Sequence, residues 1–330
     1  MRILLVFLVL FPLLCRADDF GEAGRDFIEH MAASQGFDRD QLTSLFGKVR
    51  KLDSVILLVS PSQPSRKPDW ASYRARFVDR SRIEGGLRYW EKYASVLEKA
   101  SATYHVPPEI IVAIIGVETQ YGHNTGKYRV LDALSTLAFD YPETGNREER
   151  MKFFRSELEN ALVLARNWGV DPLSLQGSYA GAMGLPQFMP GSILRYGIDF
   201  DEDGRVDVVH SAADAIGSIA NFLAMHGWKQ GIQAVVPATV TTDAWKDYSG
   251  GLQAKYSLDT LESAGIEPQG SPSFELAGLV DLESRDAPAE FWLGSQNFFA
   301  ITRYNHSYYY AMSVLDLGRA LKSRFAAQSH

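Results

Sequence analysis

The chain has 330 residues, of which 46% are hydrophobic and 22% charged, so a packed globular core is expected. This length suffices for one large domain or two ordinary ones. Its formal net charge of −7 argues against a protein that functions on nucleic acid, because neutralising phosphates requires clustered Lys and Arg.

The N-terminus has the features of a secretory signal. A positive charge in "MR" is followed by "ILLVFLVLFPLL", an apolar run too short to span a bilayer. "CRA" before Asp18 resembles a small-x-small cleavage site, which predicts a signal peptide over residues 1–17 and a periplasmic chain over 18–330. The alternative is a lipoprotein signal with Cys15 lipidated, although Leu14 is bulkier than such sites usually accept. Cys15 is the only cysteine, so the cleaved chain would depend on burial for its stability.

Most of the chain shows apolar residues at helical spacing, which predicts a mainly α (α+β) fold. A proline-rich loop is expected at 60–70, and weaker periodicity predicts a small mixed lobe at about 235–290. The expected helices cover residues 21–36, 38–52, 86–105, 107–117, 147–169, 212–227 and 308–325.

One carboxylate follows a helix that is apolar all round. Pro107 and Pro108 begin this helix, where the N–H that proline lacks would have no partner within the helix. Residues 110–117 of the helix are expected to be buried. Glu118 comes next, at a helix C-terminus in apolar surroundings, and both features raise the pKa of a carboxyl. A carboxyl that stays protonated near neutral pH is suited to act as a general acid. The alternative is an exposed glutamate just past a helix end, which is the usual position of this residue type.

A second segment, "GSYAGAMGLPQFMPGS" (177–192), is rich in small residues, with four glycines and two alanines in sixteen positions. Glycine allows the backbone to approach a ligand closely. A tight crossing between two helices would need small residues equally, so this pattern leaves both interpretations open.

Three segments together resemble the B-type lytic murein transglycosylases, soluble or membrane-bound. They are "PPEIIVAIIGVETQYG" (107–122), "GSYAGAMGLPQFMPGSILRYGIDFDEDGRVD" (177–207) and "NFFAITRYNHS" (297–307), and they occur in the order found in that family. The resemblance implies a lysozyme-like fold that cleaves peptidoglycan strands between N-acetylmuramic acid and N-acetylglucosamine. It also implies that cleavage occurs without water and leaves a 1,6-anhydro ring. Glu118 matches the family's catalytic glutamate.

The resemblance also implies substrate contacts. It makes the glycine-rich segment a wall of the glycan cleft, with Ser178 near the acetamido group, Gln187 in contact with sugar, and Tyr179 and Phe188 in the same wall. Tyr304 corresponds to a family tyrosine close to the catalytic carboxyl, where a ring with a hydroxyl can hold a sugar face. Taken alone, Tyr304 is equally consistent with a core residue whose hydroxyl is bonded.

The segment "DFDEDGRVD" resembles an EF-hand loop, with carboxylates at alternate positions and Gly204 at the sharp turn. His210 stands at position twelve, where a bidentate Glu is usual, and the family's longer loop (199–214) would allow Asp214 to replace it. We therefore expect a structural Ca²⁺ site of modest affinity; the alternative is a solvated acidic turn. The expected ligands are Asp199, Asp201, Asp203, Arg205 through its carbonyl, Asp207 and Asp214.

A single carboxyl can carry the chemistry that the resemblance implies. Most glycosidases use two carboxylates, but the sequence offers no partner near Glu118, and the substrate's acetamido group can assist instead. Glu118 would protonate the leaving oxygen and then remove the proton from the C6 hydroxyl, which requires a pKa near the working pH. No organic cofactor is expected. The alternatives are a muramidase that uses water and a non-catalytic glycan-binding scaffold that recruits envelope protein partners.

Overall fold

The computed structural model describes residues 20–61 and 69–328. The predicted signal peptide over 1–17, Cys15 and most of the predicted loop at 60–70 lie outside these residues. The helices are α1 (Gly21–Gln35), α2 (Arg39–Phe46), α3 (Asp53–Val59), α4 (Trp70–Ala75), α5 (Arg80–Lys92), α6 (Ala94–Tyr104), α7 (Pro108–Thr119), α8 (Val130–Phe139), α9 (Arg147–Trp168), α10 (Pro190–Tyr196), α11 (Ala212–Met225), α12 (Leu258–Ser263), α13 (Gln296–Thr302) and α14 (Tyr308–Gln328). The strands are β1 (Tyr128–Arg129), β2 (Gln176–Gly177), β3 (Val235–Val240), β4 (Tyr256–Ser257), β5 (Ile266–Pro268), β6 (Leu276–Leu282) and β7 (Glu290–Gly294). The predicted mainly α (α+β) class is confirmed.

The helix that carries Glu118 lies at the centre of the core. Pro108 occupies its first position, and residues 110–117 are all buried, as the sequence predicted. Helices α5, α6, α11 and α14 pack around it. Each fully buried Ile or Val side chain contributes about 1.5–3 kcal/mol, so the helix end is firmly fixed. Within the described residues no single helix is long and apolar enough to cross a bilayer; only α6 and α7 together meet that test, across a bend of 114°.

Two of the predicted helices are longer than the corresponding helices in the structure. The helix expected over 86–105 is broken at Tyr93, whose φ of −114° and ψ of 25° leave the helical region. The break lets α5 pack on α7 and α14 while α6 packs on α11, and no Gly or Pro marks it in the sequence. The helix expected over 38–52 ends at Phe46, because tighter hydrogen bonds from Lys48 and Val49 close its last turn.

A five-stranded antiparallel sheet occupies the region expected to form a mixed lobe. Its strand order is β4-β6-β7-β3-β5, and its last strand runs to Gly294, slightly beyond the predicted end at about 290. The sheet has a small core of its own, formed by Ala238, Leu261, Ile266, Ala277, Leu279 and Leu293.

Directly after Glu118 the chain makes a tight left-handed turn. Gln120 and Tyr121 have φ values of 51° and 61°, which side chains other than glycine adopt at a cost. The Tyr121 ring fills a slot between two helices, and its hydroxyl donates to the Arg82 carbonyl at 2.8 Å. A Cβ atom on Gly86 would lie 2.4 Å from that hydroxyl, and one on Gly116 would lie 2.5 Å from it. The slot therefore requires glycine on both helices.

We predict that Gly86→Ala lowers the melting temperature. Overpacking typically destabilises the folded state by about 1–3 kcal/mol, and a Cβ atom only 2.4 Å from the Tyr121 hydroxyl should cost an amount near the upper end of this range. This cost exceeds the roughly 1 kcal/mol by which alanine stabilises a helix relative to glycine. The control is Gly47→Ala, whose Cβ would lie 3.5 Å from the nearest atom. Thermal unfolding followed by circular dichroism measures both, and equal melting temperatures would contradict the slot.

Candidate active site

Glu118 lies in the last turn of α7, partly exposed, between the buried residues Val117 and Thr119. Tyr310 donates a hydrogen bond from its hydroxyl to Oε1 of Glu118 at 2.6 Å. Burial raises the pKa of Glu118 to about 7, although the hydrogen bond from Tyr310 opposes this rise. The predicted direction of the shift is confirmed.

Two tyrosines that the sequence did not single out face this carboxyl. Tyr310 is 2% exposed and makes the direct contact. Burial raises the pKa of the Tyr73 hydroxyl on α4, and the charge of Glu118 adds to that rise, because the two groups are close. Helical spacing could have identified Tyr310, since it shares the inward face of α14 with Val314 and Leu317. No sequence signal connects Tyr73 to Glu118.

Tyr304 also lies near this carboxyl, since burial and then the charge of Glu118 raise the pKa of its hydroxyl. The rings of Tyr304 and Tyr310 stack with centroids 6.2 Å apart, and the Tyr304 hydroxyl donates to the Pro186 carbonyl at 2.5 Å. Tyr304 therefore braces both the tyrosine that holds Glu118 and the glycine-rich segment.

A short strand pair brings the glycine-rich segment to the end of α7. Strand β1 pairs with β2, and a Cβ atom on Gly126 would lie only 2.1 Å from the Gly177 backbone. Gln187 donates from Nε2 to the carbonyls of Thr125 (3.1 Å) and Gly184 (2.9 Å), which leaves its Oε1 as the atom able to accept from a ligand. The two segments thus form one continuous wall beside Glu118.

The other predicted wall residues differ in exposure. The Ser178 Oγ accepts from the backbone N–H groups of Ala180 and Ala182, so its own proton can be donated outward. Tyr179 is 41% exposed and open to a ligand. Phe188 is only 3% exposed and packs against Phe222 and Tyr304. The structure thus corrects its predicted sugar contact: Phe188 supports the wall from behind, as expected for a large apolar ring.

The EF-hand-like loop brings three of its predicted ligands together. Asp199, Asp201 and Asp203 each offer a carboxylate oxygen, and these oxygens lie within 4.8 Å of one another. The Asp199 carboxylate also accepts from the backbone N–H groups of Asp203 and Gly204, which preforms the loop turn. Such a cluster of oxygens fits a hard cation such as Ca²⁺.

The carboxylates of Asp207 and Asp214 lie outside this group of three. Asp214 is fully buried, and its oxygens accept from the backbone N–H groups of Phe200 and Asp207, both at 2.7 Å. The Asp207 carboxylate faces His210 at 3.1 Å and the Arg205 guanidinium at 3.5 Å. Asp214 therefore ties the loop to α11 because buried backbone donors need an acceptor, and its role as a Ca²⁺ ligand in place of the missing Glu stays a prediction.

Hydrogen bonds connect this loop to α7. The Thr119 hydroxyl bonds to the Leu185 carbonyl at 3.2 Å, and the Leu185 N–H donates to the Val208 carbonyl at 3.2 Å. Three predicted features, the helix end, the glycine-rich wall and the acidic loop, are thereby joined in one unit.

We predict that Tyr310→Phe raises the pKa of Glu118 above about 7, because the lost hydrogen bond stabilises the ionised carboxylate. Carbon-13 NMR of glutamate labelled at its side-chain carboxyl would follow the titration, with Glu118→Gln identifying the signal. Tyr308→Phe is the control, since that hydroxyl bonds to Gly251 instead. An unchanged or lower pKa in Tyr310→Phe would contradict this account.

The chain matches known proteins over nearly its whole length. A family model described as the transglycosylase SLT domain matches residues 19–319. Membrane-bound lytic murein transglycosylase B of Escherichia coli (strain K12) is 42% identical over 306 residues, which cover 90% of this chain and 82% of that protein.

Solved structures of lytic transglycosylases have the same fold as this chain. The Escherichia coli lytic transglycosylase SLT35, in complex with bulgecin A, has a TM-score of 0.84 at 40% identity and covers 94% of this chain and 96% of its own. SLT35 in complex with calcium gives a TM-score of 0.83. Pseudomonas aeruginosa SltB3, in complex with NAG-NAM-pentapeptide, has a TM-score of 0.75 at 28% identity and covers 90% and 78% of the two chains. The predicted resemblance is thus confirmed, and the protein belongs to the SLT-domain family of lytic murein transglycosylases.

Proposed function

We propose that the protein cleaves the β-1,4 bond between N-acetylmuramic acid and N-acetylglucosamine in peptidoglycan strands, with formation of 1,6-anhydromuramic acid, in cell-wall turnover. Glu118 is the acid and then the base. Its protonated carboxyl gives a proton to the leaving glycosidic oxygen, and the resulting carboxylate takes the proton of the C6 hydroxyl as that oxygen attacks C1. Water takes no part, so the product is lighter than a hydrolysis product by one water.

The main support for this proposal is the raised pKa of Glu118. A pKa of about 7 leaves comparable fractions of acid and base near neutral pH, which one group in two roles requires. Among the described residues, no second carboxylate influences this pKa, and Tyr310 is its only side-chain partner. A carboxylate pair of the usual hydrolytic kind is therefore not supported.

The wall residues supply the positioning. We assign the Ser178 hydroxyl and the Gln187 Oε1 to hydrogen bonds with the sugars, and the exposed Tyr179 ring to contact with a sugar face. Tyr304 acts through Tyr310 and Pro186, which its ring and hydroxyl contact. Sugar complexes of relatives support this class of ligand, since SltB3 was solved with NAG-NAM-pentapeptide.

We further propose that residues 18–330 form one catalytic module of the cell envelope. The membrane-bound relative that shares 42% identity acts on murein, a polymer of that compartment. The predicted signal over 1–17 would deliver the chain to the periplasm, and cleavage there would remove Cys15.

We predict that Glu118→Gln abolishes sacculus cleavage while binding persists, because glutamine keeps the shape but has no proton to give. Removing a general acid typically lowers the rate by about 10²- to 10⁴-fold. Mass analysis of digested sacculi should show anhydro-muropeptides for the native chain and essentially none for the variant.

Glu109→Gln is the matched control, since it makes the same change at the other end of α7, where Glu109 pairs with Lys322 at 2.8 Å. Products with reducing ends would identify a muramidase instead. Sacculus binding without cleavage in the native chain would identify a scaffold.

We also propose that the acidic loop binds Ca²⁺ as a structural ion through Asp199, Asp201 and Asp203. The relative SLT35 was solved with calcium, and the three aspartates of this chain converge within 4.8 Å. The ion would stabilise the loop that Val208 connects to the glycine-rich wall.

We predict that Ca²⁺ raises the melting temperature, because an ion that binds only the folded state adds about 2.7 kcal/mol at a hundredfold excess over its dissociation constant. Asp203→Asn should reduce the shift, since it removes a charge but can still accept from Arg205 N–H, a bond of 2.9 Å. Asp243→Asn, an exposed aspartate outside the loop, should leave the shift intact. An equal shift in both variants would exclude this site.

A further inference from the structure

The short helix α4 is held by the mixed lobe as well as by the helical core. Its first N–H group, that of Trp70, donates to the Glu283 carbonyl at 2.8 Å, and the next, that of Ala71, donates to the Ser284 hydroxyl oxygen at 3.3 Å. Both acceptors belong to the loop that follows strand β6. The lobe therefore satisfies backbone donors that the start of a helix leaves without partners inside the helix.

The Glu283 carbonyl accepts a second hydrogen bond, which comes from a tyrosine of α14. The Tyr309 hydroxyl donates to this carbonyl at 2.7 Å, and the Tyr309 ring contacts the Trp70 ring, with centroids 5.5 Å apart. Trp70 is only 2% exposed, so this contact belongs to the core. One carbonyl oxygen thus joins the lobe, α4 and α14 at a single point.

The Tyr309 ring also contacts Tyr73, the residue of α4 that lies close to Glu118. The two rings meet edge to face with centroids 5.6 Å apart, and the Arg76 guanidinium lies over the Tyr73 ring, 4.8 Å from its centroid. Burial raises the pKa of the Tyr73 hydroxyl, Arg76 lowers it, and the charge of Glu118 raises it further. Tyr73 and Glu118 therefore share one poorly hydrated space.

Three tyrosine hydroxyls of the described chain respond to the charge of Glu118, namely those of Tyr73, Tyr304 and Tyr310. The hydroxyls of Tyr304 and Tyr310 are bonded to the Pro186 carbonyl and to Glu118 itself. The Tyr73 hydroxyl has no hydrogen-bond partner among the described residues. Its position therefore depends on the contacts of its ring and on how α4 is held.

We propose that Tyr309 is a positioning residue of the reaction, which holds α4 through the shared Glu283 carbonyl so that the Tyr73 ring shields Glu118 from water. The mixed lobe then belongs to the active site, because its β6–β7 loop fixes one part of the surroundings of the acid. A looser α4 would admit water beside the carboxyl and stabilise its ionised form. The consequence for catalysis rests on the proposed function, in which Glu118 must begin the reaction protonated.

Tyr309→Phe is the first test, since it removes the hydroxyl and keeps the ring. Carbon-13 NMR of carboxyl-labelled glutamate should place the pKa of Glu118 below about 7 in this variant, because water gains access. At neutral pH, kcat should fall by about two- to tenfold, the range expected for the loss of one neutral hydrogen bond. KM should hardly change, because the glycine-rich wall is untouched. A merely structural role would lower the melting temperature and leave the pKa of Glu118 unchanged.

A double-mutant cycle tests whether Tyr309 acts through Tyr73. Tyr73→Ala removes the shielding ring and should lower the pKa of Glu118 by itself, whereas Tyr73→Phe keeps the ring and should not lower it. Adding Tyr309→Phe to Tyr73→Ala should cause no further fall, because the effects of residues that act as one unit are not additive. Additive shifts of the pKa would contradict this route.

Tyr308→Phe is the matched control, because that neighbouring hydroxyl bonds to the Gly251 carbonyl of the same lobe, and it should change neither the pKa nor kcat. Ser284→Ala removes the partner of the Ala71 N–H and loosens α4 by a second route if Tyr309→Phe does not fold. An unchanged pKa of Glu118 in these two variants would overturn the inference, as would an equal fall in Tyr308→Phe. If the native chain releases no anhydro-muropeptides, the proposed function fails, and the pKa comparison still decides the role of Tyr309.

Discussion

The hydrogen bond from Tyr310 to Glu118 connects α14 to the end of α7, a largely buried helix. It acts against burial, which alone would push the pKa of the carboxyl still higher. The balance between these two effects leaves the pKa at about 7, where one group can give a proton and take one back. The rest of the site serves to keep the carboxyl and the tyrosine in this arrangement.

That arrangement carries a cost in stability. A carboxyl whose folded pKa lies above its unfolded value favours the folded state at low pH, and this contribution is lost as the pH rises from about 4.5 to about 7. At the upper end the chain holds an ionised group in surroundings that disfavour it. The burial of the apolar side chains of α7 and the close packing of Tyr121 against Gly86 and Gly116 stabilise the folded state, and they offset this cost.

Local patterns in the sequence were sufficient to predict the fold class and the raised pKa. Helical spacing identified α9 and α11 almost to the residue, and the apolar run before Glu118 indicated a buried helix. The break at Tyr93 could not be foreseen, since it arises because α5 and α6 pack on different partners. The contacts of Tyr73 and Asp214 were also missed, because each depends on which distant segment the fold brings nearby.

In a site with one carboxylate, the surrounding residues must position the sugar accurately. Because no second carboxylate among the described residues contributes to the pKa of Glu118, the proposed reaction needs the sugar's own C6 hydroxyl and acetamido group in reacting geometry, and such positioning can supply a large part of the rate enhancement. Loops that move would lose this benefit. The chain meets the demand with backbone contacts: Gly126 lies directly against Gly177, and Thr119, Leu185 and Val208 form an unbroken line of hydrogen bonds. Since this line ends in the acidic loop, any ion that stiffens the loop would also stiffen the wall against which the sugar reacts.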